Sequence, residues 1–144
     1  MALSADDRTQ VHDLMMRYAA VVDFQKTEEE FQAIFTDDAY LEGPYGHHEG
    51  RAGITQFFSR ISGRPHLQTR HLITNIVMDG DGRRVSLEAY FVSCHTRQDS
   101  AEGNDPRVSQ VVDVGTYDCV AVKAGDAWRL QRRVVRIDAH RWRA

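Results

Sequence analysis

The order of patterns along the chain predicts an α+β fold, with helices first and a sheet after them. Three observations carry that prediction. Apolar residues recur at helical spacing as far as Ile61, the period changes to two beyond Pro65, and tight-turn pairs divide the second half into hairpins.

The elements follow in order. Ser4 with Asp7 reads as a capping-box-type start, and the acidic first turn suits the positive end of a helix dipole. Val11, Leu14, Met15, Tyr18 and Val22 then place a first helix from about Ser4 to Phe24. Thr27 followed by Glu30 repeats the start signal, and Phe31, Ile34 and Phe35 supply the apolar stripe of a short second helix. Ala39-Tyr40-Leu41-Glu42 reads as a short strand, ended by the turn Gly43-Pro44-Tyr45-Gly46. A third helix follows Gly50, with Ile54, Phe57, Phe58 and Ile61 on one side, and Gly63 and Pro65 close it. Four long strands come next, at about 66–78, 83–97, 108–123 and 127–138. Asp79-Gly80-Asp81-Gly82 and Ala124-Gly125-Asp126 are their hairpin signals. From Gln98 to Arg107 almost nothing is apolar, which predicts an exposed, mobile loop.

The 144 residues suit one domain with one core. With 42% hydrophobic and 27% charged residues the balance is that of a folded protein. A formal charge of −3 gives no reason to expect nucleic acid or an anionic membrane as partner. Most of the 18 basic residues lie from Arg83 onward, but they alternate with apolar ones as on a solvated strand face. The first residues lack a basic stretch followed by an apolar run, and no apolar stretch is long enough to span a bilayer. The expected compartment is therefore the cytoplasm. Cys94 and Cys119 lack metal-type spacing and read as two buried, reduced thiols.

The informative residues are polar ones where the pattern calls for apolar ones. On the first long strand Leu67, Thr69, His71, Ile73, Asn75 and Val77 share a face, so His71 points inward with Leu67 and Ile73. On the next, Val85, Leu87, Ala89, Phe91 and Ser93 lead to His95 at the end of an inward row. On the last, the even-numbered face carries Trp128, Leu130, Arg132, Val134, Arg136 and Asp138, which makes Arg136 a charge among core residues. On the first helix Tyr18 lies in the apolar stripe, and Asp23 sits at its edge in the final turn. An acid there opposes the helix dipole unless a neighbouring His or Arg holds it.

Long strands curling around helices enclose a pocket, the usual place for a small ligand. A carboxylate beside a His fixes the imidazole tautomer and strengthens it as a general base. An inward Tyr and Arg would stabilise enolate-like charge. A serine-nucleophile motif and phosphate-binding loops are absent. His47-His48-Glu49 does not make a metal site, because adjacent strand residues point to opposite faces; no metal is expected.

Four segments resemble the SnoaL-like branch of the nuclear-transport-factor-2-like superfamily over nearly the whole chain. They are Arg17-Tyr18-Ala19-Ala20-Val21-Val22-Asp23, Phe35-Thr36-Asp37-Asp38-Ala39, Gly50-Arg51-Ala52-Gly53-Ile54 and Ala127-Trp128-Arg129-Leu130. The resemblance implies one domain over 1–144, a cone-shaped α+β barrel with three N-terminal helices packed on a strongly curved, antiparallel (mixed) sheet around a pocket. Ketosteroid isomerases share this scaffold and match Arg17-Tyr18, but Gly43 stands where their general-base Asp belongs, so their route is disfavoured. The site pattern is more similar to scytalone dehydratase, at Asp23, His71 and His95. It is also similar to bile-acid 7α-dehydratase, at Tyr18, Asp23, His71 and Arg136, and hexachlorocyclohexane dehydrochlorinases carry an Asp–His pair at the matching places. Val22, Gly115 and Tyr117 depart from the scytalone dehydratase pattern, so its substrate is not implied.

The resemblance therefore implies a cofactor-independent lyase, or an isomerase or cyclase, acting on a hydrophobic cyclic small molecule. Asp23, His71, Tyr18, His95 and Arg136 would form the catalytic set, in a pocket lined by Tyr45, Phe58, Phe91, Tyr117 and Trp128. A non-catalytic ligand-binding or assembly subunit, resembling the small subunits of ring-hydroxylating dioxygenases, is the alternative. Under either reading relatives on this scaffold form dimers or trimers, so a homodimer or homotrimer is expected.

Overall fold

The computed structural model describes residues 2–64, 67–97 and 109–140. The loop expected between Gln98 and Arg107 lies outside the described residues. Among the described residues, the helices are α1 (Ala5–Asp23) and α2 (Glu28–Gln32), ahead of every strand, and α3 (Gly50–Ile61), which follows the first two strands. The strands among the described residues are β1 (Phe35–Gly43), β2 (Gly46–Glu49), β3 (Leu67–Gly80), β4 (Arg84–Arg97), β5 (Ser109–Ala124) and β6 (Ala127–His140).

The start signals act as the sequence predicts. Ser4 Oγ accepts from the Asp7 amide at 3.0 Å and donates to the Asp7 carboxylate at 2.7 Å. Thr27 and Glu30 form a complete capping box. The Asp7 carboxylate has further partners, because it also receives Lys123 Nζ and the Trp128 indole N–H, each at 2.9 Å. These bonds tie the first turn of α1 to the β5–β6 hairpin. Those donors hold the Asp7 carboxyl down at about 2.

The strands form one sheet in the order β2-β1-β6-β5-β4-β3. The β1–β6 pair is parallel and every other pair antiparallel. The sheet is α+β and mixed as expected, but it does not close: β2 and β3 are its two edges, so the cone is an open one. The second short strand, β2, supplements the single one predicted there. One face of the sheet packs on the helices around Leu14, Met15, Phe31, Phe35, Leu41, Ile54, Leu87 and Leu130, all at most 1% exposed.

Register irregularities decide which side chains reach the inside. In β3 the pairing with β4 shifts between Thr74 and Val77, and Asn75 adopts φ 53°. Beyond that bulge the faces exchange: Ile76 and Met78 pack against the core, while Val77 is 69% exposed. Asn75 and Val77 therefore leave the inward face that unbroken alternation assigns them. In β6 the pairing shifts between Leu130 and Arg132, passing over Gln131. Trp128 and Leu130 point inward before the shift, and Arg133, Val135 and Ile137 do so after it. Of the two free cysteines, Cys119 is buried and Cys94 only partly so.

Candidate active site

The concave face assembles by register. In β3–β4, Thr69 lies opposite His95, His71 opposite Ser93, and Ile73 opposite Phe91. Ser93 in turn faces Asp113 on β5, Phe91 faces Gly115, and Gly115 faces Ile137 on β6. These strands, with α1 and α3, surround a cavity of about 120 Å³. That is the scale of engineered apolar cavities, about 150 Å³, that hold a benzene ring. Its apolar surface includes Val22, Phe57, Leu67, Phe91, Val135 and Ile137, and Pro44 and Tyr45 contribute from the β1–β2 turn.

Asp23 closes α1 and is 7% exposed. Its carboxylate accepts from Thr69 Oγ1 at 2.8 Å, from the His71 backbone amide at 2.7 Å, and it meets His71 Nδ1 at 2.6 Å. Its main-chain carbonyl accepts from Gln68 Nε2 at 2.9 Å. The acid that opposes the helix dipole is thus held by β3. Burial works against its charge, but the bonds from the His71 ring, the His71 backbone and Thr69 outweigh it and hold the carboxyl below its ordinary value. Asp23 is therefore an ionised acceptor, which makes His71 Nδ1 the donor and leaves a lone pair on Nε2. His71 lines the cavity with its side chain 18% exposed.

His95 lines the cavity beside this pair. Burial first, and the neighbouring His71 second, push its pKa below the ordinary value, against the pull of Asp113, so it is neutral at pH 7. Ser93 Oγ donates to Asp113 at 3.3 Å. Tyr18 and Tyr117 are 3% and 2% exposed, with rings edge-on at 6.0 Å. Burial raises both phenol pKa values while the charge of Arg133 draws them down. Both stay protonated at neutral pH.

Tyr18, His71 and His95 therefore line one cavity together with Tyr45, Phe91 and Tyr117, and Asp23 lies behind His71, bonded to its ring. Arg136 does not join them. The bulge at Gln131 turns it to the outer surface, where its side chain is 63% exposed and lies 3.9 Å from Asp118. Arg133, 3% exposed, takes the inward place and was missed because strict alternation points it outward. Phe58 and Trp128 also lie away from the cavity: Phe58 packs on Phe31 with centroids 5.4 Å apart, and Trp128 serves Asp7. Phe57, one position before Phe58, is the α3 aromatic that reaches the cavity. Thr69, Ser93 and Asp113 complete its polar side, all on the inward rows of their strands.

The fold is an open α+β sheet whose cavity is lined by His71, with Asp23 bonded to its ring. The SnoaL-like domain family matches residues 4–134, and the chain belongs to that family. Similar solved structures share the fold. A cystatin-like-fold protein of unknown function from Nostoc punctiforme is 20% identical, covering 96% of both chains with a TM-score of 0.78. A proposed scytalone dehydratase from Novosphingobium aromaticivorans is 21% identical over 92% of this chain and 85% of that one, TM-score 0.77. The beta subunit of a proposed aromatic-ring-hydroxylating dioxygenase from the same organism is 20% identical over 92% and 90%, TM-score 0.74. At such identities the likeness is one of fold. No functionally curated protein matches the chain.

Proposed function

We propose that the chain is a cofactor-independent lyase that eliminates water or a similar group from a hydrophobic, cyclic small molecule. An isomerisation or cyclisation would use the same residues. The observation that carries this reading is the 2.6 Å Asp23–His71 contact behind the cavity wall, which leaves Nε2 of the cavity-lining His71 to accept a proton.

In the elimination, His71 Nε2 takes a proton from carbon next to a substrate carbonyl, and Asp23 stabilises the imidazolium that forms. The electron pair moves onto the carbonyl oxygen, where the Tyr18–Tyr117 hydroxyls and the Arg133 charge offset it. It then returns to expel the hydroxyl group, which hydrogen-bonds to neutral His95 and leaves as water with the proton that His71 had taken. The products are water and an alkene conjugated with the carbonyl, and the protein is unchanged.

Two features favour this over a non-catalytic assembly subunit. The cavity is open rather than filled by Trp128, and Arg133 Nε is buried beside it without a hydrogen-bond partner. Ring compounds bearing a hydroxyl beta to a ketone, offered to wild type and to His71→Ala, test the proposal. Wild type is expected to turn over at least one at a rate about 100-fold or more above the variant. Equal turnover by the two proteins would remove His71 from the mechanism.

A further inference from the structure

The cavity holds a cation that the protein does not neutralise. Arg133 is 3% exposed and lines the space opened by Phe57, Tyr18 and Tyr117. Its guanidinium carbon lies 5.3 Å from the Tyr18 ring centroid and 4.9 Å from that of Phe57. Its Nε is buried without a hydrogen-bond partner, and among the described residues the guanidinium has no ion pair.

The neighbours that could have supplied a negative charge do not. Burial keeps Tyr18 and Tyr117 protonated and pushes the Cys119 thiol up to about 12, although Arg133 opposes the rise in each case. Asp23 is committed to Thr69 and His71. Asp113 is engaged with Ser93. Ring faces offset part of the cost of burying a guanidinium, but they give it no acceptor for its N–H groups. A buried cation without its acceptor is a place for one to arrive.

We propose that this pocket selects ligands carrying an anionic oxygen on a ring-sized apolar body, with Arg133 receiving that oxygen. A carboxylate and an ionised phenol or enol share this chemistry. The surrounding walls of Phe57, Phe91, Val135 and Ile137 take the ring. The inference concerns binding and holds whether or not His71 carries out an elimination, so the two fail separately.

Benzoate and its neutral counterpart benzamide, titrated calorimetrically at neutral pH, make the first comparison. Bound 4-nitrophenol, read by its phenolate absorbance, makes the second. Wild type is expected to prefer benzoate by about tenfold or more, or to shift bound 4-nitrophenol toward its phenolate. The first result assigns the ligand to carboxylates and the second to ionised phenols or enols. Arg133→Met should lose the preference while keeping affinity for benzamide, Arg133→Lys should retain part of it, and Arg136→Gln, on the outer surface, should retain it fully. If wild type binds benzamide as tightly as benzoate and leaves 4-nitrophenol unshifted, the proposal is overturned. A preference unchanged in Arg133→Met overturns it as well. Should Arg133→Met fail to fold, the wild-type comparisons decide alone.

Discussion

Asp23 shows how one carboxylate serves stability and chemistry together. Three donors converge on it, two of them from His71, so Asp23→Asn both misplaces the imidazole and sets an amide N–H against those donors. The folded-state carboxyl lies below its ordinary value of 3.8, so its contribution is complete above that value. That contribution disappears as pH falls through the lowered folded value. Urea unfolding should therefore show wild type more stable than Asp23→Asn at pH 7, with the gap closing as pH falls below 3.8. A gap that does not depend on pH would contradict the assignment. The two arginines separate just as cleanly. Arg136→Gln removes only an exposed pair with Asp118, and thermal unfolding should place it within about 0.5 kcal/mol of wild type.

At the scale of elements, much was legible. Helical spacing and capping signals placed α1, α2 and α3 to within a few residues, and alternation placed all four long strands. The inward polar residues of α1, β3 and β4 follow the plain pattern because no extra residue precedes Tyr18, Asp23, His71 or His95 in its own element; the register shift beside Ser93 and Cys94 is taken up by Val112 on β5. The failures lie beyond bulges. Val77 and Arg136 were assigned to the wrong face because one extra residue reverses every later side chain, and neither Asn75 nor Gln131 announces itself as that residue. Gly115 marks another such place, where the β5–β6 pairing shifts. A Cβ there would lie 2.0 Å from the Arg136 carbonyl oxygen and 3.0 Å from the Phe91 ring. Gly115→Ala should cost about 1–3 kcal/mol in urea unfolding, by forcing β6 and Phe91 away from β5. The Asp7 cluster gives the hairpin at the other end its own pH signature. Its carboxyl is lowered to about 2, so its stabilising effect, full above pH 3.8, is lost as pH falls toward 2 and is absent in Asp7→Asn.

For the whole molecule, the outer face of β3, β4 and β5 carries a group of exposed apolar side chains. Leu72 lies opposite Val92, Val92 opposite Val114, and Thr74 opposite Tyr90, and Leu72, Tyr90 and Val114 are each well exposed. Neighbouring apolar side chains of this kind on one sheet face suit association with a second copy. A dimer or trimer is the expected state by light scattering, and Leu72→Glu with Val114→Glu should shift it toward monomer while leaving the cavity on the opposite face intact. Among the described residues no helix is long and apolar enough to cross a membrane. The pocket itself is a property of the whole sheet. It needs the end of α1 for Asp23, the bulge in β6 for Arg133, and the straight inward rows of β3 and β4 for His71 and His95.

The central claim is that His71, set by Asp23, removes a proton from carbon inside this cavity. Deuterium incorporation next to the carbonyl of a cyclic hydroxyketone, followed by proton NMR in heavy water, measures that step without requiring a leaving group to depart. Wild type should exchange about 100-fold or more faster than His71→Ala, with Asp23→Asn also slowed. Equal exchange by wild type and His71→Ala would contradict the account.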